Sequence, residues 1–323
     1  MKHTLVFVTV AVRRSQMLLI SLLLGLTYVA LCQNATEPVS GLRDKAGRGD
    51  ADAQFALANA YQNGVGVPRD DREAFEWFSA AASRGSIAAE FELGLSYQLG
   101  RGVHRDYRAA VRHYTVAATG GNREAANYLA VLYKTGRGVS TNSTEAAHWF
   151  QSAAEMGEPM AAANLAYLYL KGEGLPRDLA QAAYWFQVAA KGGVVSAQVY
   201  LSHAYFTGEG VEHDEQRAAE WLRRAAEQGY PQAQTDLGYL YAEGRGVPLD
   251  HVKSFYWFTL AANAGDAQAT IQLKQLSARM APKELAQALT SISKTQSARI
   301  GHSTPNTNVA HDAGSLLDEG GRR

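Results

Sequence analysis

The sequence predicts an all-α, right-handed solenoid built from helical hairpins, and three periodic observations support this fold class. A glycine, a leucine and a tyrosine each recur at intervals of 36 residues. A fixed period between about 20 and 50 residues is typical of a solenoid, in which each unit buries its apolar face against its neighbours. The glycines that open the units are Gly49, Gly85, Gly121, Gly157, Gly193, Gly229 and Gly265.

The first half of each unit predicts a helix with one apolar stripe. In the fourth unit, Ala161, Leu165 and Tyr169 have the spacing of residues on one face of an α-helix. The position after the leucine stays small from the first unit to the sixth, which indicates close approach by a neighbouring backbone. We expect the Gly172-x-Gly174 pair to end the helix, because glycine reaches left-handed conformations without a Cβ penalty.

The second half of each unit predicts a capped helix that carries aromatic residues. Short polar side chains accept hydrogen bonds from the free N–H groups at a helix start. Such residues recur at Asp70, Asp106, Asn142, Asp178, Asp214 and Asp250. Glu73 and Glu145 follow two of them at the spacing of a capping box. We expect the tryptophans, which share one later position of the period, to lie in the core. They are Trp77, Trp149, Trp185, Trp221 and Trp257, with His113 at that position in the second unit.

This pattern resembles the Sel-1-like repeat, a relative of the tetratricopeptide repeat. In the sixth unit it reads Leu237-Gly238, Tyr241, Gly244-x-Gly246-Val247, Asp250, Trp257-Phe258, Ala261-Ala262 and Gly265. The resemblance covers about residues 49–280 and recurs in register six times. It implies an adaptor that scaffolds protein complexes without catalytic activity. Known members include bacterial extracytoplasmic proteins and a degradation component of the endoplasmic reticulum.

The limits of the repeats divide the chain into five predicted segments. Residues 1–32 are expected to be a signal peptide or an N-terminal anchor, and residues 33–48 a linker with a capping half-repeat. Six repeats are predicted at 49–84, 85–120, 121–156, 157–192, 193–228 and 229–264. A partial repeat and a closing helix, which Pro282 opens and which ends near Ser291, are predicted within 265–293. The polar segment 294–323 predicts a disordered tail, because it has little apolar surface to bury.

The N-terminal segment predicts export. Lys2, Arg13 and Arg14 precede the apolar run Met17–Leu31, and Cys32 follows it. A basic stretch followed by a short apolar run is typical of a secretory signal, whereas a stable membrane span needs about 20 apolar residues. Cleavage, retention as an uncleaved anchor and lipidation at Cys32 remain open. All three place the repeats outside the cytoplasm, in the periplasm, in the secretory pathway or in the medium.

Composition and motifs argue against several function classes. The 31 basic residues balance the 31 acidic ones without a basic stripe, so no nucleic-acid partner is expected. The lone Cys32 leaves no disulfide, thiol catalysis or cysteine metal site in the repeats. The nine histidines show no ligand spacing, so no metal, no cofactor and no catalytic residues are expected. Ser291-x-x-Lys294 and Lys134-Thr135-Gly136 match two motifs of β-lactam-recognising enzymes in reversed order, which we interpret as chance.

Variable positions in the first helices predict a binding groove on the inner, concave face. By analogy with tetratricopeptide grooves, the positions two before and one after the repeating tyrosine should face it. Aromatic residues there in repeats four to six have the composition of an interface centre. The predicted groove residues are Asn59, Asn127, Lys134, Tyr167, Leu170, His203, Phe206 and Tyr239. The alternative is that these side chains pack against the first helix of the next unit.

The sequence therefore predicts an exported, non-enzymatic adaptor that binds a peptide or protein segment in its groove. A cell-wall-associated enzyme or enzyme modulator that binds glycans or β-lactams is one alternative. A secreted host-interaction factor is another. Membrane contact is expected only through the N-terminal segment, if that segment is uncleaved or lipidated. The identity of the partner does not follow from the sequence.

Overall fold

The computed structural model describes the backbone of residues 39–301 and the side chains of residues 39–293. These residues contain fifteen α-helices and no strand. The helices are α1 (Val39–Gly47), α2 (Ala51–Asn63), α3 (Asp71–Ala82), α4 (Ile87–Leu99), α5 (Tyr107–Thr119), α6 (Arg123–Thr135), α7 (Ser143–Glu155), α8 (Pro159–Lys171), α9 (Leu179–Lys191), α10 (Val195–Thr207), α11 (Glu215–Glu227), α12 (Pro231–Glu243), α13 (His251–Asn263), α14 (Ala267–Ser277) and α15 (Pro282–Gly301). Within this part of the chain, every helix is too short or too polar to cross a bilayer. The predicted signal or anchor and residues 302–323 of the predicted tail lie outside the described residues.

Tandem helical hairpins confirm the all-α solenoid fold class. Each repeat has a first helix of 13 residues and a second helix of 12 or 13. The chain divides into two compact units between Asp106 and Tyr107. In the first unit, helices α1 to α4 pack in sequential order. In the second unit, each helix from α5 to α13 packs against the next. The second helix of each repeat from the third to the sixth therefore lies between two first helices.

The loop of each hairpin closes by the same set of hydrogen bonds. In the fourth repeat, the N–H of Gly172 donates to the carbonyl of Leu168 at 2.8 Å, and the N–H of Asp178 donates to that of Tyr169 at 3.0 Å. The Asp178 carboxylate then caps α9 by accepting from two main-chain N–H groups. Side-chain capping is confirmed at Asp70, Asn142, Asp178, Asp214 and Asp250. Because these bonds recur, the loops are rigid connectors that set the hairpin geometry.

The second glycine of each Gly-x-Gly pair lies against the preceding repeat. A Cβ on Gly174 would overlap the carbonyl of Ser143 at the start of α7, and one on Gly210 would overlap that of Leu179 at the start of α9. The same overlap recurs in every repeat from the second to the sixth. Both glycines also have a positive φ, of 74° and 76°. Glycine is therefore required for two reasons, because φ is positive and because the preceding repeat leaves no space for a Cβ.

The central aromatic position of the core is the one after the tryptophan. Its residues are Phe78, Tyr114, Phe150, Phe186 and Phe258, each at most 1% exposed, and Leu222, which is 3% exposed. Among the tryptophans, Trp185 and Trp221 are buried, whereas Trp77, Trp149 and Trp257 are half-buried. The prediction of tryptophans in the core is therefore confirmed for two of the five. Successive residues are rotated by about 100° around a helix, so the tryptophan lies at the edge of the stripe that its neighbour centres.

The last helices close the second unit. Helix α15 packs against α13, and Ala288 and Ile292 join the core cluster that contains Phe258 and Met280. The sequence predicts that this helix ends near Ser291, but the helix continues to Gly301. Residues 294–301 are thus helical instead of belonging to a disordered tail. No glycine or proline interrupts the chain between Lys283 and Ile300, so nothing in the backbone stops the helix earlier.

Candidate functional site

Most of the predicted groove residues lie at positions 9 and 12 of a first helix, counted from the residue that starts the helix. In α8, which starts at Pro159, these are Tyr167 and Leu170. Position 6 lies on the same side of the helix, since residues three apart are neighbours on its surface. Position 15 follows in the glycine loop. We call positions 6, 9, 12 and 15 the first-helix face.

Two of the predicted aromatic residues are anchored on the core. The ring of Tyr167 lies edge-on to Phe186, with 5.0 Å between the ring centroids. Tyr239 has the same arrangement with Phe258 at 5.2 Å, and its hydroxyl accepts a 2.8 Å hydrogen bond from Gln268. Both tyrosines are half-buried. The core therefore orients each ring while part of its surface remains accessible.

Two of the polar groove residues, Asn127 and Lys134, contact the following repeat. The side-chain oxygen of Asn127 accepts a 3.3 Å hydrogen bond from the amide of Asn164. The ammonium of Lys134 lies 3.6 Å from the Glu173 carboxylate. These contacts agree with the alternative prediction, in which groove side chains pack against the first helix of the next repeat. Part of the sequence variation at this face is therefore explained by inter-repeat pairing.

The remaining groove residues differ in their surroundings. The guanidinium carbon of Arg245 lies 5.2 Å from the centre of the Phe206 ring. The carbonyl of Leu170 accepts a 3.2 Å hydrogen bond from Arg177. His203 is exposed, whereas Leu170 and Phe206 are half-buried. Tyr167, Leu170, His203 and Phe206 all belong to the consecutive first helices α8 and α10. Asn59 is half-buried in α2, within the first unit.

Sequence reasoning missed position 6 of the first-helix face. Burial raises the pKa of the Glu92 carboxyl, while a 3.4 Å hydrogen bond from Gln62 and the charge of Arg101 act in the opposite direction. Burial likewise raises the pKa of Asp236. A signal was available in the sequence, because this position varies as widely as positions 9 and 12. It reads Ala56, Glu92, Tyr128, Asn164, Tyr200 and Asp236.

Tyr200 is the position-6 residue with the least satisfied polar group. Its ring stacks on Phe186, with 3.9 Å between centroids and 29° between the ring planes. Its hydroxyl is buried and has no hydrogen-bond partner among residues 39–293. Burial raises the pKa of this phenol, Glu209 raises it further, and Arg177 lowers it. Burying a hydroxyl without a hydrogen-bond partner has a desolvation cost, and this cost distinguishes Tyr200 from the other position-6 residues.

Side chains of the types that ligate metals are dispersed over the part of the chain that the structure describes. No group of three or more His, Cys, Asp or Glu side chains there is placed to hold a metal ion. An open cleft between repeats five and six is lined by His213, Asp214 and Glu215. Asp214 accepts the main-chain N–H of Arg217 as a helix cap, and Glu215 forms a 3.2 Å ion pair with Arg245. These carboxylates are therefore committed to structural contacts.

Comparison with known families and structures places the chain among repeat proteins. A family model described as Sel1 repeat matches residues 51–86, 87–122, 123–158, 159–194, 195–230 and 231–266. The crystal structure of a protective antigen from uropathogenic Escherichia coli, which displays an SLR fold, is similar with 32% identity and a TM-score of 0.73. That match covers 82% of this chain and 58% of the antigen. This chain thus spans little more than half of that relative's length.

A second solved structure covers the repeats over its entire length. A Sel1 repeat protein from Oxalobacter formigenes is 30% identical, with a TM-score of 0.59. The match covers 70% of this chain and 99% of the Oxalobacter protein. A comparison with curated proteins finds no significant match.

Proposed function

Because the chain belongs to the Sel1 repeat family, we propose that it is an exported, non-enzymatic adaptor that binds a peptide or protein partner. The family fold is a typical protein-interaction scaffold. The partner is proposed to bind along the first-helix face of repeats four to six. First helices that stack from repeat to repeat offer an extended surface that suits a peptide or a protein edge.

The anchoring of the aromatic side chains carries this proposal. Tyr167 and Tyr239 are held edge-on by buried phenylalanines, and Arg245 lies over the ring of Phe206. Side chains that are already oriented lose little conformational freedom when a partner binds. Tyrosine and phenylalanine also bury large apolar areas, and aromatic residues are enriched at the centres of interfaces. These features support a preformed contact surface in the second unit.

A role without catalysis is supported by the arrangement of the polar groups. The capping aspartates accept main-chain N–H groups, and several other carboxylates form ion pairs with neighbouring arginines. Catalytic acids and bases instead need a free reactive atom beside a substrate pocket. Export is supported by the basic and apolar pattern before Cys32. An intact-mass measurement of the mature protein tests export and its mode, because cleavage, retention and lipidation give different masses.

The adaptor proposal is tested by affinity capture after crosslinking in the envelope fraction. The triple variant Tyr167→Ala/Phe206→Ala/Tyr239→Ala is expected to lose the partner that the wild type retains. A matched variant, Tyr184→Ala/Tyr230→Ala, removes two tyrosines that are 55% and 46% exposed outside this face and should retain it. Far-UV circular dichroism and thermal unfolding establish that both variants are folded. Equal recovery of the same proteins by wild type and triple variant would argue against the first-helix face.

The comparison with the Escherichia coli antigen favours one second candidate, a secreted host-interaction factor. That relative is described as a protective antigen, and its fold matches 82% of this chain with a TM-score of 0.73. Detection of the protein in culture medium instead of the envelope would support this candidate. Retention in the envelope fraction would support the adaptor.

A further inference from the structure

A set of three residues recurs between consecutive repeats on the first-helix face. It consists of position 12 of one repeat and positions 6 and 15 of the next, and we call it a junction triplet. In the first unit, the triplet is Gln62, Glu92 and Arg101. Gln62 donates a 3.4 Å hydrogen bond to the Glu92 carboxylate, and Arg101 favours its charged form. The buried acid thus has both a donor and a counter-charge.

The triplet between repeats three and four is also compensated. It consists of Lys134, Asn164 and Glu173. The Lys134 ammonium lies 3.6 Å from the Glu173 carboxylate, with the lysine side chain only 18% exposed. Asn164 donates to Asn127 at 3.3 Å. Here a cation from position 12 pairs with the acid at position 15.

The triplet between repeats five and six is compensated in a different way. It consists of Phe206, Asp236 and Arg245. Arg245 lies over the Phe206 ring and forms a 3.2 Å ion pair with Glu215. Asp236 accepts a 3.0 Å hydrogen bond from Gln232. Its charged residues again have partners within the chain.

The triplet between repeats four and five differs from these three. It consists of Leu170, Tyr200 and Glu209. Leu170 supplies neither a charge nor a donor, and the Tyr200 hydroxyl is buried without a hydrogen-bond partner. The Glu209 carboxylate forms no ion pair or hydrogen bond with any side chain in residues 39–293. The nearby Arg177 directs its Nε to the Leu170 carbonyl and offsets only part of the effect of Glu209 on the phenol.

We propose that a basic side chain of the bound partner, an arginine or a lysine, completes the triplet of Leu170, Tyr200 and Glu209. Its cation pairs with the exposed Glu209 carboxylate, as Lys134 pairs with Glu173 one repeat earlier. Its methylene stem packs on Leu170, because long basic side chains cover apolar surface while the charged end stays polar. A charge-assisted hydrogen bond to the exposed Glu209 carboxylate is stronger than a neutral one, which favours a basic residue at this point of the partner. This inference rests on the proposed adaptor function and names the chemistry of the segment that binds.

A random dodecapeptide display library, selected on the full chain, tests the inference. Wild type is expected to enrich arginine plus lysine at one peptide position about threefold or more over the unselected library. Glu209→Gln removes the acid, and Leu170→Lys supplies the cation within the chain, so both should lose this enrichment. The controls Glu212→Gln and Leu249→Lys make the same changes at exposed positions and should keep it. The most enriched peptide should bind Glu209→Gln about two- to fivefold more weakly than wild type by fluorescence polarisation, because the Glu209 carboxylate is exposed.

The possible failures are distinguishable. Peptides selected by wild type without basic enrichment, or with enrichment that persists in Glu209→Gln, would overturn the triplet and leave the adaptor function standing. If no peptide is selected on any folded protein, peptide binding on this face is overturned together with the triplet. Circular dichroism at 222 nm establishes that each variant is folded. Enrichment lost in Glu209→Gln and Leu170→Lys but kept in both controls supports the inference.

Discussion

The side-chain amide of Gln198 donates a 3.2 Å hydrogen bond to the main-chain carbonyl of Ala190, and both groups are buried. Ala190 lies in the last turn of α9, and its carbonyl also accepts a 3.1 Å hydrogen bond from the N–H of Gly193 just beyond the helix. The same bond joins Gln54 to Ala46 at 3.0 Å and Gln234 to Ala226 at 3.1 Å. The glutamine at position 4 therefore ties a first helix to the helix that precedes it.

Replacing Gln198 with leucine should destabilise the protein at nearly constant side-chain volume. The change removes the bond to Ala190 and a second, 2.9 Å bond that Gln198 accepts from Gln228. With about 0.5–1.5 kcal/mol for each bond, the free energy of unfolding should fall by about 1–3 kcal/mol. Urea denaturation measures this loss. Gln216→Leu, at an exposed position, should change it by less than about 0.5 kcal/mol, and an equal loss in both variants would contradict the role of the bond.

The two kinds of loop glycine should respond differently to alanine. Gly193→Ala meets no atom within 4 Å but keeps a φ of 90°, so it should cost about 1–2 kcal/mol of backbone strain. Gly210→Ala has a similar φ and also overlaps the Leu179 carbonyl, which should add about 1–3 kcal/mol. Thermal and urea unfolding of the two variants measure the difference. Equal stabilities would show that the inter-repeat contact relaxes without cost.

Adjacent aromatic residues in α7 should differ in their contribution to stability. Phe150 is 1% exposed, so Phe150→Ala leaves a cavity and should cost about 3–5 kcal/mol. Trp149 is half-buried at the edge of the same stripe, so Trp149→Ala should cost less in spite of its larger ring. Urea denaturation of both variants compares the losses directly. A larger loss for Trp149→Ala would place the tryptophan at the centre of the core.

Asp236 should make stability depend on pH. Burial raises the pKa of its carboxyl in the folded state, and the charge of Asp266 acts in the same direction. A hydrogen bond from Gln232 acts against them. The folded state thus holds this proton more tightly than the unfolded chain does. The contribution of Asp236 to stability is therefore present below its ordinary pKa of about 4 and is lost as the pH rises through the raised value.

The substitution Asp236→Asn tests this dependence while keeping an oxygen that Gln232 can bond. The variant should be more stable than wild type near pH 7, and the difference should shrink towards about pH 3, where the aspartate is protonated. Urea denaturation at several pH values gives both curves. Glu212→Gln, at an exposed position, controls for the general loss of one negative charge. A difference that stays constant with pH would contradict the shifted pKa.

The hairpins could be predicted from the sequence because their signals are local. The glycine that ends α8, the Asp178 cap that starts α9 and the leucine stripe act within a few residues of one another. The full length of α15 could not be predicted from the polar composition of its end, because polarity does not by itself stop a helix that lacks glycine and proline. The tryptophans were assigned to the core by size, although the neighbouring phenylalanines occupy its centre.

The predicted groove was less complete, because a face is formed by side chains from different repeats. Positions 9 and 12 followed from the helical period. The partners of Lys134 and Asn127 could not be predicted, because Lys134 pairs with Glu173 and Asn127 bonds to Asn164 only when two hairpins stack. Position 6 was missed although it varies as much as the others. Its role follows from Tyr200, whose ring stacks on Phe186 and whose hydroxyl has no hydrogen-bond partner.

The sequence by itself determined the repeating hairpins, because helix periodicity, caps and glycine conformations depend on neighbouring residues. Tertiary structure decided which glycines face a carbonyl of the preceding repeat and which aromatic ring lies at the centre of the core. It also decided which charged groups are paired across repeats, and within residues 39–293 it left the Glu209 carboxylate and the Tyr200 hydroxyl without a side-chain partner. These outcomes depend on distances between residues about 30 positions apart, which are set by stacking the repeats and not by the residues within one repeat.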